Sequence, residues 1–240
     1  KGMPAPSRNF LHKTAIRQPN KIILPKKGRP QQGRAHNIKM MRIITGSAKG
    51  TKLKTLEGIA TRPTSERVKE AVFSMIQFDI EGRQVLDLFA GSGQLGLEAL
   101  SRGAAGAMFV DNSAEAVAII KENADKAHLF DKCRFLISDY RNYLRKAAAL
   151  EKRTAESLAQ NSDPAGVFDL VFLDPPYSSD ILPDALVRLH GSGLLKLEAL
   201  IICESNGDEN PISPSDLSEY YDIIKSASYG RAKINILKKK

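Results

Sequence analysis

The stretch Gln84–Leu100 joins an apolar strand, a glycine-rich turn and an apolar helix without interruption. A strand, turn and helix in this order are typical of doubly wound α/β sheets that bind a nucleotide-containing cofactor at the turn. The spacing of Gly91, Gly93 and Gly96 also matches the dinucleotide-binding pattern. However, Asp87 lies at the end of the strand, where its carboxylate would repel a pyrophosphate. We therefore expect a cofactor that carries positive charge near Asp87.

Three later apolar runs with the character of strands also lead into an acidic residue. The carboxyl ends of parallel strands meet at one edge of the sheet, so we expect these carboxylates and Asp87 to border one cleft. The acid after the second strand can accept both hydroxyl groups of a ribose, and the acid after the third can accept from an adenine amino group. The three acids are Asp111, Asp139 and Asp174.

The fourth strand, Phe168–Leu173, leads into the turn Asp174-Pro175-Pro176-Tyr177. Two adjacent prolines fix the backbone and remove two N–H donors, which leaves carbonyl oxygens free to accept hydrogen bonds. A carboxylate, carbonyl acceptors and an aromatic ring together suit a planar base with an exocyclic amino group. The turn alone does not identify that base.

Charge is distributed unevenly along the chain. Residues 1–40 contain ten Lys or Arg and no Asp or Glu, whereas residues 84–240 contain 18 basic and 22 acidic residues. We expect residues 1–40 to form a basic, mostly disordered arm. This arm could be a tether to nucleic acid, an extension that precedes a native start at Met40 or Met41, or an organellar targeting segment.

The segments Met41–Ile44 and Lys52–Leu56 flank a loop with two glycines, a pattern that predicts a β-hairpin. Its basic side chains suit a phosphate backbone, and the basic helix start that follows could hold an anion. We therefore predict a nucleic-acid-binding hairpin in residues 41–60 and a cofactor-binding domain in residues 61–240. The predicted substrate-binding residues are Arg42, Lys49, Lys52, Arg62, Thr64 and Arg67.

The two cysteines, Cys133 and Cys203, lie in apolar strand-like runs and are expected to be buried free thiols. The four histidines are scattered without the spacing of a zinc site, so we expect no metal. No apolar run approaches the ~20 residues needed to span a bilayer, and no secretory signal is visible. These observations predict a cytoplasmic protein that does not interact with membranes.

The order of these motifs resembles that of class I S-adenosylmethionine-dependent amino-methyltransferases. Within this class, three stretches are similar to the RsmD family of 16S ribosomal RNA guanine-N2 methyltransferases, and the likeness spans roughly Met41 to Leu237. Residues 1–40 have no counterpart in the family pattern, and the polar link 146–166 is longer than expected. The three stretches are Arg62-Pro63-Thr64 with Arg67, Asp87-Leu88-Phe89-Ala90-Gly91-Ser92-Gly93, and Leu173-Asp174-Pro175-Pro176-Tyr177.

The resemblance implies a Rossmann-like α/β fold whose seven-stranded, mostly parallel sheet contains one antiparallel strand. It implies S-adenosylmethionine as the cofactor and a guanine of 16S ribosomal RNA, within a small-subunit particle, as the substrate. Asp174 and the Pro175 carbonyl would accept the amino hydrogens of the target base, beside Pro176, and Tyr177 would stack on it. The implied cofactor-binding residues are Asp87, Phe89, Gly91 and Gly93 under the methionine part, Asp111 on the ribose and Asp139 near the adenine.

Two functions of other classes remain open. A DNA adenine-N6 methyltransferase could use the same turn, because Asp174–Tyr177 suits any planar amino group; against it, no segment is large enough to be a separate sequence-reading domain. A non-catalytic ribosome-assembly module could retain the cofactor pocket, although the intact turn argues against a loss of chemistry.

Overall fold

The computed structural model describes residues 2, 41–56, 66–157, 167–176, 180–206 and 217–240. Within these residues, helices and strands alternate as expected for an α/β protein. The helices are α1 (Glu66–Met75), α2 (Gln94–Ser101), α3 (Ala114–Lys126), α4 (Tyr140–Ser157) and α5 (Ile181–His190), with a short 3-10 helix at Phe130–Lys132. The strands are β1 (Gln84–Asp87), β2 (Gly106–Asp111), β3 (Cys133–Ile137), β4 (Phe168–Leu173), β5 (Leu195–Asn206), β6 (Tyr221–Tyr229) and β7 (Ala232–Lys239).

All seven strands form one sheet in the order β3-β2-β1-β4-β5-β7-β6. Neighbouring strands from β3 to β5 pair in parallel, whereas β7 is antiparallel to both β5 and β6. This arrangement confirms the predicted seven-stranded sheet with one antiparallel strand. The strand order reverses between β1 and β4, and ligands of doubly wound sheets bind in the crevice at such a reversal.

Helices cover both faces of the sheet, and the central strands are therefore buried on both sides. In β4, Leu170 and Phe172 belong to the core that also contains residues of α1, α2 and α3. Val171 and Leu173 belong to the core on the opposite face, which contains residues of α4 and α5. A strand that is buried on both faces has a nearly continuous apolar sequence, which explains why β4 could be recognised from its residues.

Helix α4 was not predicted from the sequence, and strand β5 is longer than its apolar run. Helix α4 continues to Ser157, so the polar stretch 146–166 begins as a helix rather than as a loop. Strand β5 extends over Leu195–Asn206, beyond the continuous apolar run 199–203. Its carboxyl half is extended by pairing with β7 as far as the pair Asn206 and Ala232. Such pairing across the sheet has no local signature in the sequence.

Residues 41–56 reverse direction as predicted, but regular strand pairing is limited to one bridge between Arg42 and Lys52. On either side, the Ile43 N–H donates to the Thr51 carbonyl at 3.0 Å and the Leu53 N–H donates to the Met41 carbonyl at 2.7 Å. Met41, Ile43 and Leu53 are buried in the same core as α1, α2 and α3. We call residues 41–56 the N-terminal segment.

Two polar side chains of the buried helix α2 hold the N-terminal segment. The Glu98 carboxylate accepts the Ile44 N–H at 2.7 Å and the Thr45 N–H at 3.0 Å. The Ser101 hydroxyl donates to the Thr45 carbonyl at 2.6 Å and accepts the Ala48 N–H at 3.0 Å. Buried polar groups require such partners, so α2 and the segment satisfy each other's hydrogen bonds.

A third contact joins the N-terminal segment to the glycine-rich turn. The side-chain amide of Asn123 in α3 accepts the Lys54 N–H at 2.8 Å and donates to the Lys54 carbonyl at 3.0 Å. The same amide donates to the Ser92 carbonyl at 2.9 Å. Asn123 is almost completely buried, so these bonds fix the end of the segment beside the turn.

Gly46 allows the segment to approach α2 closely, and its replacement tests the docking. A Cβ at Gly46 would overlap the carbonyl oxygen of Ser101, whereas a Cβ at Gly50 would have no heavy atom of the described residues within 4 Å. Both glycines have a left-handed φ, +89° and +86°, so the two alanine variants share the same conformational strain. We expect Gly46→Ala to lower the free energy of unfolding by about 1–3 kcal/mol more than Gly50→Ala. Urea denaturation of both variants measures this difference, and equal losses would contradict the docked arrangement.

Candidate active site

A cavity of about 810 Å³ lies at the carboxyl ends of the central strands. This volume lies within the range of protein pockets that bind small molecules and cofactors. Its walls contain the turn after β1, the residues that follow β2, β3 and β4, and the end of the N-terminal segment. Residues that line it include Thr55, Leu56, Asp87, Phe89, Gly91, Asp111, Ser138, Asp139, Tyr140, Arg141, Asp174, Pro175, Pro176 and Ile181.

Carboxylates hold the glycine-rich turn in place. Asp87 accepts the Gly96 N–H at 3.0 Å, and Asp111 accepts the Gly91 N–H at 2.8 Å. Gly93 precedes α2 with a φ of 78°, a conformation that a residue with a Cβ rarely adopts. The turn therefore brings backbone to the cavity wall between the ends of β1 and β2.

Asp111 and Asp139 each combine a structural contact with a position on the cavity wall. The second oxygen of Asp111 accepts the Ser113 N–H at 2.9 Å at the start of α3. One oxygen of Asp139 accepts the Arg141 N–H at 2.9 Å at the start of α4. A carboxylate offers about four lone-pair sites, so both acids retain the capacity to accept a hydrogen bond from a ligand.

The turn after β4 borders the same cavity. Asp174 and the buried Pro175 line the wall, and Pro176 is exposed at its edge. Tyr177, the predicted stacking residue, lies outside the described residues. Phe89 lines the cavity from the end of β1, and its ring packs on that of Tyr140 with centroids 5.1 Å apart.

The cavity is electrostatically suited to a cation. Burial raises the pKa of Asp87 to about 7, the nearby carboxylates of Asp174 and Asp111 raise it in the same direction, and the Gly96 hydrogen bond opposes them. A cationic ligand would lower this pKa by stabilising the ionised form. S-adenosylmethionine fits this set of groups, because its sulfonium and ammonium are cationic and its ribose hydroxyl groups can donate to Asp111.

The raised pKa of Asp87 predicts how the affinity for S-adenosylmethionine depends on pH. This cation should bind several-fold more tightly at about pH 7.5 than at about pH 6, because Asp87 ionises within this interval. The folding stability of the ligand-free protein should change in the opposite direction. The stability contributed by protonated Asp87 is lost as the pH rises from 3.8 towards about 7. Titration calorimetry of S-adenosylmethionine with wild type and Asp87→Asn tests this, since the variant should lose the pH dependence. An equally steep dependence in Asp87→Asn would contradict the assignment.

The predicted substrate-binding residues are only partly described. Arg42, Lys49 and Lys52 are exposed on the N-terminal segment, and Arg67 is exposed in the first turn of α1. Arg42 is near Glu66, with 3.3 Å between Nε and Oε1. The other two predicted residues, Arg62 and Thr64, lie outside the described residues. The role of this set in binding RNA stays a prediction.

Sequence reasoning did not identify several residues of the cavity wall. Thr55 and Leu56 belong to the N-terminal segment, and Tyr140 and Arg141 begin α4. For Arg141 a local signal existed, because a basic residue follows closely after the predicted cofactor acid Asp139. Thr55 and Leu56 had no such signal, since they reach the cavity only through the docking of the segment on α2 and α3.

The family model described as conserved hypothetical protein 95, which represents the RsmD family, matches residues 41–238. The chain belongs to the RsmD family. Ribosomal RNA small subunit methyltransferase D of Escherichia coli strain K12 is 35% identical over 185 residues, which are 77% of this chain and 84% of that protein. The protein of the same name from Haemophilus influenzae is 33% identical over 190 residues, 79% of this chain and 89% of that protein.

Solved structures agree with this membership of the RsmD family. The Escherichia coli protein YhhF has a TM-score of 0.67 and 29% identity, and the match covers 84% of this chain and 98% of that one. A hypothetical protein of Thermus thermophilus has a TM-score of 0.63 and 28% identity, with coverage of 82% and 98%. Among the described residues, no helix has the length and apolar character to span a membrane, and no cluster of three or more His, Cys, Asp or Glu could hold a metal ion.

Proposed function

We propose that this chain transfers a methyl group from S-adenosylmethionine to the exocyclic N2 of a guanine in small-subunit ribosomal RNA. The observation that carries the proposal is one cavity that combines Asp87 and Asp111, suited to a cationic nucleoside donor, with the Asp174 turn, suited to an amino group. Membership of the RsmD family and the names of its relatives support ribosomal RNA as the substrate.

The proposed roles divide the cavity between donor and acceptor. Asp87, with Phe89, Gly91 and Gly93, holds the methionine part. The ribose hydroxyl groups donate to Asp111, and the adenine amino group donates to Asp139. When bound, S-adenosylmethionine supplies an electrophilic methyl group on a positively charged sulfur.

The amino nitrogen of guanine is a weak nucleophile, because its lone pair is delocalised into the ring. Asp174 and the Pro175 carbonyl accept the two amino hydrogens, and they favour a nitrogen whose lone pair points towards the methyl carbon. The sulfur of the bound methyl donor would keep the electrons of the broken C–S bond, and the methylated nitrogen would become acidic. Asp174 then holds the departing proton before its release to water. Position and electrostatics supply the acceleration, without a covalent enzyme intermediate.

The RNA must present its base outside the helical stack, as in a loop or after base flipping. Arg42, Lys49 and Lys52 on the N-terminal segment, together with Arg62, Thr64 and Arg67, are proposed to hold the phosphate backbone. We propose an assembled small-subunit particle as the substrate, with residues 1–40 as an accessory basic arm.

Deletion of residues 1–40 should preserve the binding of S-adenosylmethionine and reduce activity mainly at higher salt, where weakened phosphate contacts become limiting.

The function is tested by the transfer of tritiated methyl groups to naked 16S RNA, to 30S particles and to duplex DNA in parallel, followed by nucleoside analysis. We expect N2-methylguanosine from the 30S particles, and its recovery from naked 16S RNA alone would overturn the choice of an assembled particle as the substrate. Recovery of N6-methyladenine from DNA would replace this proposal with the DNA alternative. Binding of particles and of S-adenosylmethionine without transfer would support the non-catalytic alternative.

A further inference from the structure

Arg141 is the only Lys or Arg among the described residues that line the cavity. Four carboxylates line the same walls, at Asp87, Asp111, Asp139 and Asp174. A cavity of this composition attracts the cationic donor but repels a polyanion such as RNA. A target nucleotide cannot enter without the phosphates of its own backbone. The position of Arg141 therefore identifies the part of the wall where a phosphate is tolerated.

The guanidinium of Arg141 is held in one orientation. Its Nε donates to Asp184 Oδ2 at 2.8 Å, and its central carbon lies 5.1 Å from the centroid of the Tyr140 ring. Arginine has five N–H donors, and the contacts found among the described residues use only the one on Nε. The terminal nitrogens remain available for the two parallel hydrogen bonds that arginine makes to phosphate. The side chain is about half exposed, at 54%, so a large ligand can reach it.

Asp184 connects Arg141 to the helix that follows the Asp174 turn. Its Oδ2 also accepts the Tyr140 hydroxyl at 2.7 Å, and its Oδ1 accepts the Nε of Arg188 at 2.8 Å. Partial burial opposes ionisation of Asp184, but the three hydrogen bonds together lower its pKa below the usual range. The carboxylate thus stays ionised and fixes Arg141 on the side of the cavity bordered by α5. Helix α5 is the first helix after β4 and the Asp174 turn, and its Ile181 lines the same cavity.

We propose that Arg141, oriented by Asp184, binds the RNA phosphate adjacent to the target nucleotide. This inference rests on the proposed function, since it assumes that an RNA base occupies the site beside Asp174. Arg141 contributes the cation that offsets the repulsion between the backbone and the acidic cavity. Asp184 is a positioning residue that acts through Arg141.

The test compares Arg141→Ala with Arg145→Ala in the full chain. Arg145 is a matched control because it lies one turn further along α4, is exposed, and bonds to Asn142 instead of Asp184. The RNA probe is a short stem–loop centred on the guanine methylated in the transfer assay, or naked 16S RNA where no methylated position is found. We expect Arg141→Ala to weaken RNA binding about tenfold and to lower the salt dependence by about 0.7 in the log–log slope. The dissociation constant for S-adenosylmethionine should not change.

Replacing one charged phosphate of the RNA by an uncharged methylphosphonate makes the test specific. The methylphosphonate is placed in turn at each position beside the target guanine of the stem–loop, and binding is measured by fluorescence anisotropy. At one position, this replacement should weaken binding to wild type and to Arg145→Ala but cause no further loss of affinity in Arg141→Ala. Arg141→Lys should recover part of the affinity, because lysine keeps the charge without the paired donors.

Three results would overturn the proposal. These are equal losses of RNA affinity in Arg141→Ala and Arg145→Ala, a methylphosphonate effect that persists in Arg141→Ala, and weakened donor binding, which would place Arg141 on the donor carboxylate. Failure of the proposed function is recognised separately, because wild type would then transfer no methyl group to RNA. The comparison of Arg141→Ala with Arg145→Ala in binding to 16S RNA tests the role of Arg141 in either case.

Discussion

Replacement of Asp174 by alanine should lower the rate of methyl transfer at least about 100-fold, because it removes a preorganised acceptor at the reacting nitrogen. The Asp174 carboxylate lines the cavity at the end of β4. Without it, the amino group loses the hydrogen bond that orients its lone pair, and the departing proton loses its first acceptor. Single-turnover assays at saturating donor and RNA measure the chemical step directly. Circular dichroism and titration calorimetry should show a retained fold and retained donor binding.

The matched control is Asp131→Ala, since Asp131 is exposed in the 3-10 helix before β3, at the opposite end of the sheet. This variant should transfer methyl groups at the wild-type rate. Asp174→Ala has a second expected effect, because the Asp174 carboxylate helps to raise the pKa of Asp87. The pH at which donor affinity increases should therefore move to a lower value. Undiminished transfer by Asp174→Ala would refute the proposed mechanism.

Replacement of Glu98 by alanine should cause the largest loss of stability, about 3–5 kcal/mol, which is typical when one partner of a buried ion pair is removed. Glu98 is fully buried and lies 3.3 Å from the ammonium of Lys69, which is also buried, and 2.9 Å from the Nε of Arg102. The substitution leaves the Lys69 charge without its carboxylate. It also leaves the Ile44 and Thr45 N–H groups without their acceptor.

The pH dependence of stability distinguishes the unpaired charge of Lys69 from the loss of the two backbone hydrogen bonds. Burial already lowers the pKa of Lys69, and removal of Glu98 should lower it further. The unfolded chain then binds more protons than the folded one, so the stability of Glu98→Ala should rise as the pH increases towards 10. The double variant Lys69→Met/Glu98→Ala should recover part of the loss at neutral pH.

The control for Glu98 is Glu122→Ala, which removes the exposed pair between Glu122 and Lys54. Exposed pairs contribute at most about 1 kcal/mol, so this variant should unfold close to wild type. Chemical denaturation at pH 7 and pH 9 gives the loss of stability and its dependence on pH. If Glu98→Ala and Glu122→Ala lose the same free energy, the buried cluster does not anchor the N-terminal segment.

The sheet and most of the cavity could be predicted because their signals are local. Strands β1 and β2 are apolar runs that end in Asp87 and Asp111, β4 is followed directly by Asp174, and parallel pairing brings such ends to one edge. The glycine-rich turn adds a second local pattern in the same place. Each of these features depends on fewer than about fifteen consecutive residues, which is the range in which sequence patterns are informative.

The remaining features depend on residues that are distant in the chain. Ile44 and Glu98 are separated by 54 positions, and Arg141 and Asp184 by 43. The sequence around Glu98 does not indicate which backbone N–H groups donate hydrogen bonds to its carboxylate. Glu98 lies in the buried helix α2, where a charged side chain needs a partner. Its identity required the structure.

The attachment of the N-terminal segment also has a consequence for synthesis of the protein. Lys54 leaves the ribosome 69 residues before its partner Asn123. Until α3 has been translated, the apolar side chains of Met41, Ile43 and Leu53 lack the core that buries them in the finished fold. Because such non-local contacts form late, the nascent chain should pass through an interval in which this segment is accessible to chaperones and proteases.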